Sequence, residues 1–133
     1  VGHVRPTEEQ RRLYTAAYQQ VHHNMDILKA GMSFREYADR SWSIPEEFYA
    51  NRYCCVAHGV GLADEYPAIA HSGKDWRVSG YDGVFEENMT LCIESYIGAE
   101  GGQEGVKLEE QVLITKEGCV PLSGYRWEES WLI

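Results

Sequence analysis

The sequence predicts an α+β fold in which helices pack on an antiparallel sheet. Apolar residues recur at helical spacing through the first fifty positions, and after Arg52 the pattern becomes extended. The 133 residues, 44% of them apolar and 12% aromatic, suit one globular domain spanning residues 1–133.

The first helix is expected within "RPTEEQRRLYTAAYQQVHHNMDILKAG". Thr7 with Gln10 three residues on forms a capping box, and acids follow in the first turn. Tyr14, Tyr18, Val21, Met25 and Leu28 then make one apolar stripe, closed by Lys29 and Gly31. Ser33 and Glu36 in "SFREYADRSW" repeat the capping logic, and Pro45 suits the first turn of a third, short helix. Three strands follow: "RYCCVAHG", "NMTLCIESYIG" with Met89, Leu91 and Ile93 on one face, and "GVKLEEQVLIT". "GAEGGQEG" suits a mobile hairpin loop; neither the helix nor the lysine that a phosphate cradle needs comes directly after it. "WRVSGYDG" reads as a loop, and "KEGC" as a tight turn into a short last strand. The tail is too apolar for a free end, so Trp127, Trp131 and Ile133 are expected to dock on this domain or a neighbour.

A formal charge of −9 argues against a nucleic-acid face. No run approaches the roughly 20 apolar residues of a membrane span, and the N-terminus has no hydrophobic signal core. Cys54, Cys55, Cys92 and Cys119 show no CxxC spacing, which suits reduced thiols packed as small apolar groups. A soluble, cytoplasmic protein is the expectation.

His58 stands where a strand breaks into Gly59-Val60-Gly61, glycines that let backbone or ligand approach the imidazole. A lone histidine of this kind is more commonly a hydrogen-bonded core residue. Glu94 shares its face with Cys92 and Tyr96 on a strand apolar enough to be central, where an unpaired carboxylate is costly. Alternation sets Glu110 with Leu108 and Val112, and Glu109 with Lys107 and Gln111, which makes Glu109 a solvated residue. One imidazole and two carboxylates on neighbouring strands resemble half of a hard divalent-metal site, a pattern that spacing alone does not specify. His3, His22 and His23 read as surface residues, and His71 as structural or at a pocket rim.

"AHGVGLADEYP", then "ENMTLCIESYIG", then "GVKLEEQVLIT" resembles the order of motifs in the pita-bread metalloenzymes: methionine aminopeptidase, aminopeptidase P, prolidase and creatinase. "VGHVRPTEEQRRLYTAAYQ" is similar to that family's "v-G-x-p-t-x-e-q-r-x-l-Y" segment, so the likeness covers nearly the whole chain. The resemblance implies His58, Glu94 and Glu109 as metal ligands, against the alternation reading of Glu109. It also implies a pair of divalent ions, with iron favoured and zinc, manganese or cobalt as alternatives, and a homodimer.

The family's two metal-binding aspartates come from upstream of the "v-G" step with which this chain begins. The chain therefore resembles the C-terminal part of a longer enzyme. Peptidase members place a histidine seven residues after the metal histidine; here that position is Glu65. "HGVGLADEYP" preceded by Tyr53 looks instead like the dimethylsulfoniopropionate lyase branch. That likeness implies Asp64 as catalytic base and Tyr53 as a substrate-holding residue. Tyr66, Trp76 and Tyr96 are further aromatic candidates for the sulfonium, and Trp76 joins Tyr53 in the predicted substrate site. A prolidase-like metallopeptidase and a metal-free binding domain are the competing expectations.

Overall fold

The computed structural model describes residues 5–133, so His3 and the first four positions of the N-terminal motif lie outside the described residues. Helices α1 (Glu8–Ile27), α2 (Phe34–Arg40) and α3 (Glu46–Tyr49) come first. β1 (Ala57–Gly59), β2 (Ala68–Ile69), α4 (Lys74–Ser79), β3 (Thr90–Ile97), β4 (Val106–Ile114) and β5 (Cys119–Pro121) follow, and a 3-10 turn at Glu129–Trp131 ends the chain. The strands form one sheet in the order β2-β1-β3-β4-β5, with every neighbouring pair antiparallel. The predicted α+β layer is the observed one.

The capping box opens α1: Gln10 N–H donates to the Thr7 hydroxyl, and the Thr7 N–H donates back to the Gln10 side chain. Ser33 caps α2 by accepting from the Glu36 N–H. α1 lies across β3 and β4, where the Ser95 hydroxyl donates to Gln20 Oε1 at 2.7 Å. Leu91, Ile93, Val112 and Ile114 pack there with Val21, Leu28, Tyr37 and Phe85 in the main core. The period of two then sends Cys92, Glu94 and Tyr96, paired with Gln111, Glu109 and Lys107, to the other face of the sheet. That division is what positions the candidate site.

Two expectations are corrected. The first strand shrinks to three residues, although the Val56 N–H still donates to the Ile69 carbonyl. "WRVSGYDG" is not all loop: Lys74–Ser79 forms α4, closed by a bond from the Gly80 N–H to the Trp76 carbonyl. Six residues carry less than two turns of periodicity; packing of Trp76 on the core fixes this helix. In the tail, Trp127 meets Tyr18 edge-on and Trp131 meets Tyr14. Ile133 is 62% exposed, and its N–H donates to the Thr15 hydroxyl.

Candidate metal centre

Strand pairing builds the site. His58 on β1 sits directly opposite Cys92 on β3, and Glu94 on β3 directly opposite Glu109 on β4. All four side chains thus share the face that α1 leaves uncovered. The His58 ring stands 2.9 Å from the Gly59 carbonyl through Nδ1 and 2.9 Å from Glu94 Oε1 through Nε2. Glu94 is fully buried. Its second oxygen lies 3.0 Å from Lys107 Nζ in an ion pair whose angle makes no hydrogen bond. The same ammonium donates to Glu109 Oε2 at 2.7 Å. Donor atoms of His58, Cys92 and Glu109 all lie within 4.8 Å of one another.

Burial and the surrounding charges together set the direction in which each group is shifted. Burial raises the Glu94 pKa, and the like charge of Glu109 adds to that, against Lys107 and His58. Burial pushes Glu109 upward too, but Lys107 and the Cys92 thiol outweigh it and hold the carboxyl low. Burial opposes the His58 imidazolium, yet the Gly59 carbonyl, Glu94 and the charge of Glu65 together raise its pKa. Burial and then Glu109 push the Cys92 thiol up to about 12.

This donor set fits a divalent cation. Two carboxylates facing each other across a strand pair repel unless a positive charge lies between them. Lys107 Nζ supplies one, so a cation already occupies the space between Glu94 and Glu109. Imidazole nitrogen with carboxylate oxygen is the chemistry that borderline divalent ions take.

The other predicted residues divide. The Tyr53 ring lies beside the cluster, with Lys107 Nζ 4.9 Å from its centroid, and its backbone carbonyl accepts from His71 Nε2 at 2.8 Å. His71 is buried. Asp64 has a left-handed backbone (φ 58°) in the exposed loop that leaves β1. Its side chain makes no hydrogen bond among the described residues. The charge of its neighbour Glu65 acts on both His58 and Tyr53, after that of Glu94. Trp76 lies on α4 against the core, with the Arg35 guanidinium 5.4 Å from its ring. No hydrogen bond, ring pair or ion pair joins it to the cluster among the described residues. His22, half-buried, stacks on Tyr18 at 3.7 Å and touches Trp127.

Sequence reasoning missed Lys107 and Cys92 as members of this constellation. Each stands two residues before an acid on the same strand, at positions 109 and 94, so the period of two was the available signal.

Residues 1–116 match metallopeptidase family M24. The chain is 40% identical over 129 residues to the dimethylsulfoniopropionate lyase DddP of Roseovarius nubinhibens, an overlap of 96% of this chain and 28% of that protein. It is 32% identical over 124 residues to the Xaa-Pro dipeptidase of Pyrococcus furiosus, covering 89% of this chain and 32% of that one. Among solved structures, prolidase from Pyrococcus furiosus superposes with a TM-score of 0.71 at 27% identity, over 96% of this chain and 36% of that chain. The chain therefore spans about a third or less of the length of these relatives.

Proposed function

Because this chain belongs to metallopeptidase family M24, a family of divalent-metal enzymes with the pita-bread fold, we propose that it forms the His58–Glu94–Glu109 part of the metal centre of a dimethylsulfoniopropionate lyase. The observation that carries the proposal is the register that gathers these three side chains on one sheet face, beside a loop that leaves Asp64 exposed. Identity of 40% to a protein named as that lyase, against 32% to a dipeptidase, supports the choice of substrate. So does Glu65 at the position where peptidase members carry histidine.

The reaction is a β-elimination. Asp64 takes a proton from the carbon next to the substrate carboxylate, and the C–H electron pair becomes the new double bond. The carbon–sulfur bond breaks with its pair on sulfur, giving neutral dimethyl sulfide and acrylate. A bound divalent ion supplies Lewis-acid stabilisation of charge developing at the substrate carboxylate. Tyr53 offers the sulfonium an aromatic face, which already receives the Lys107 ammonium here and contributes about 0.5–2 kcal/mol. Glu65 adds negative charge near that cation.

The full-length protein with dimethylsulfoniopropionate should release acrylate. Asp64→Asn should lower turnover by at least about 100-fold with bound metal unchanged. The 32% identical dipeptidase favours a second reading, cleavage of Xaa-Pro dipeptides. Dipeptide hydrolysis without acrylate would replace the lyase by that activity, and a protein purified without metal would leave neither.

A further inference from the structure

We propose that the cavity between β4 and the C-terminal tail binds a small methylated onium cation, a quaternary ammonium or sulfonium ion, through the Glu110 carboxylate and the aromatic rings around it. The period of two sets Glu110 on the core side of β4, directly across from Ile93 and in line with Leu108 and Val112. It is 5% exposed, and its Oε1 has no hydrogen-bond partner among the described residues. No ion pair reaches it there either. A carboxylate shielded in this way is costly until a positive charge joins it.

The tail is fastened across this residue. The Leu122 N–H donates to the Gln111 carbonyl, the Glu128 N–H to the Tyr14 hydroxyl at 2.9 Å, and the Arg11 guanidinium to the carbonyls of Trp131 and Leu132. These bonds frame a cavity of about 230 Å³ lined by Glu110, Tyr14, Tyr125, Trp127 and Trp131. That is below the roughly 300–1,000 Å³ of sites for drug-sized ligands, so the occupant is a small ion. Tyr14 and Trp131 meet at 73° with their centroids 5.4 Å apart, which sets two walls nearly at right angles. Aromatic faces attract a cation and also pack against its methyl groups, which a hydrated sodium ion does not offer. Arg126 lines the cavity as well, but it is exposed to solvent. Glu109 borders it too, with its carboxylate taken by Lys107. Glu110 is therefore the charge left for a ligand, whether or not a metal binds on the opposite face of the sheet.

Tetramethylammonium is the probe, titrated into the full-length protein carrying 5-fluorotryptophan and followed by fluorine NMR. The Trp127 and Trp131 resonances, assigned through Trp127→Phe and Trp131→Phe, should shift saturably while those of Trp42 and Trp76 stay in place. Sodium chloride at the same concentrations should move neither. Glu110→Gln keeps the shape and removes the charge, and should bind the probe at least about 10-fold more weakly. In the unaltered protein, the lack of a saturable shift at these two tryptophans, or an equal shift with sodium, overturns the proposal without any Glu110 variant. Undiminished affinity in Glu110→Gln overturns it as well. A trimethyllysine peptide that binds more tightly than the free ion would replace the small-molecule occupant by a protein one.

Discussion

A carboxylate taken wholly out of water needs compensation, and Glu94 receives it from one imidazole nitrogen and one ammonium while an equally charged Glu109 faces it. Its raised pKa, caused first by burial, means that ionising it works against the metal-free fold. Glu94→Gln keeps the shape and leaves Lys107 to serve Glu109 alone. The metal-free variant should be as stable as wild type or up to about 1 kcal/mol more so in urea unfolding, with metal retained at least about 10-fold more weakly. A metal-free variant clearly weaker than wild type would mean that Glu94 is structural. His71 behaves differently. Burial, helped by Arg52, holds its pKa below the ordinary value, against the Tyr53 carbonyl and Asp75. The unfolded chain takes up this proton below about pH 6.5, whereas the folded chain takes it up only at lower pH. The unfolded state therefore binds more protons in that window, and stability is full above it and falls as pH drops through it. His71→Gln should lose less stability than wild type between about pH 7.5 and about pH 5.5, read from urea midpoints. Equal losses would show that His71 does not titrate in that range.

Among the elements, β1 shows how little of a short strand is visible in its own residues. The two glycines after His58 look equivalent in sequence, both leaving clearance for backbone or ligand. The fold separates them. A Cβ on Gly59 would collide with the Tyr66 carbonyl oxygen and come 2.8 Å from Pro67 Cδ, because the Gly59 N–H donates to the Pro67 carbonyl where the chain returns. Gly61 has nothing within 4 Å of such an atom. Gly59→Ala should therefore destabilise by about 1–3 kcal/mol and shift the loop carrying Asp64, lowering turnover further than the fall in melting temperature alone explains. Gly61→Ala should stay within about 0.5 kcal/mol of wild type; similar losses for both would undo the distinction. The elements that were legible are those whose cause is local. The capping box and stripe of α1 specify it from within, and the alternation of β3 and β4 gave the correct face for Glu109 and Glu110. β2, two residues long, and α4, six, were illegible because partners distant in sequence define them.

For the molecule as a whole, one face of the sheet buries the core under the helices and the other gathers opposed charges. Alternation labelled that second face polar and stopped there. It treated Glu109 as solvated, and Glu109 is indeed exposed, yet a face without helices is also where a charged site finds room. Which of the two applies depends on pairing register, a property of three strands at once. The same dependence would couple the binding of a metal by this set to folding. His58 and Glu94 are 36 residues apart, and Glu94 and Glu109 pair only through the β3–β4 ladder. The unfolded chain thus cannot hold this set together, and a cation that binds it favours the native state alone. At a free concentration of about 100 times its dissociation constant, a divalent ion should stabilise the full-length protein by about 2.7 kcal/mol. The gain should appear as a higher melting temperature that an excess of chelator reverses, and Glu109→Gln should shrink it. A melting temperature indifferent to metal and chelator alike would mean that the cluster is held by Lys107 for folding only.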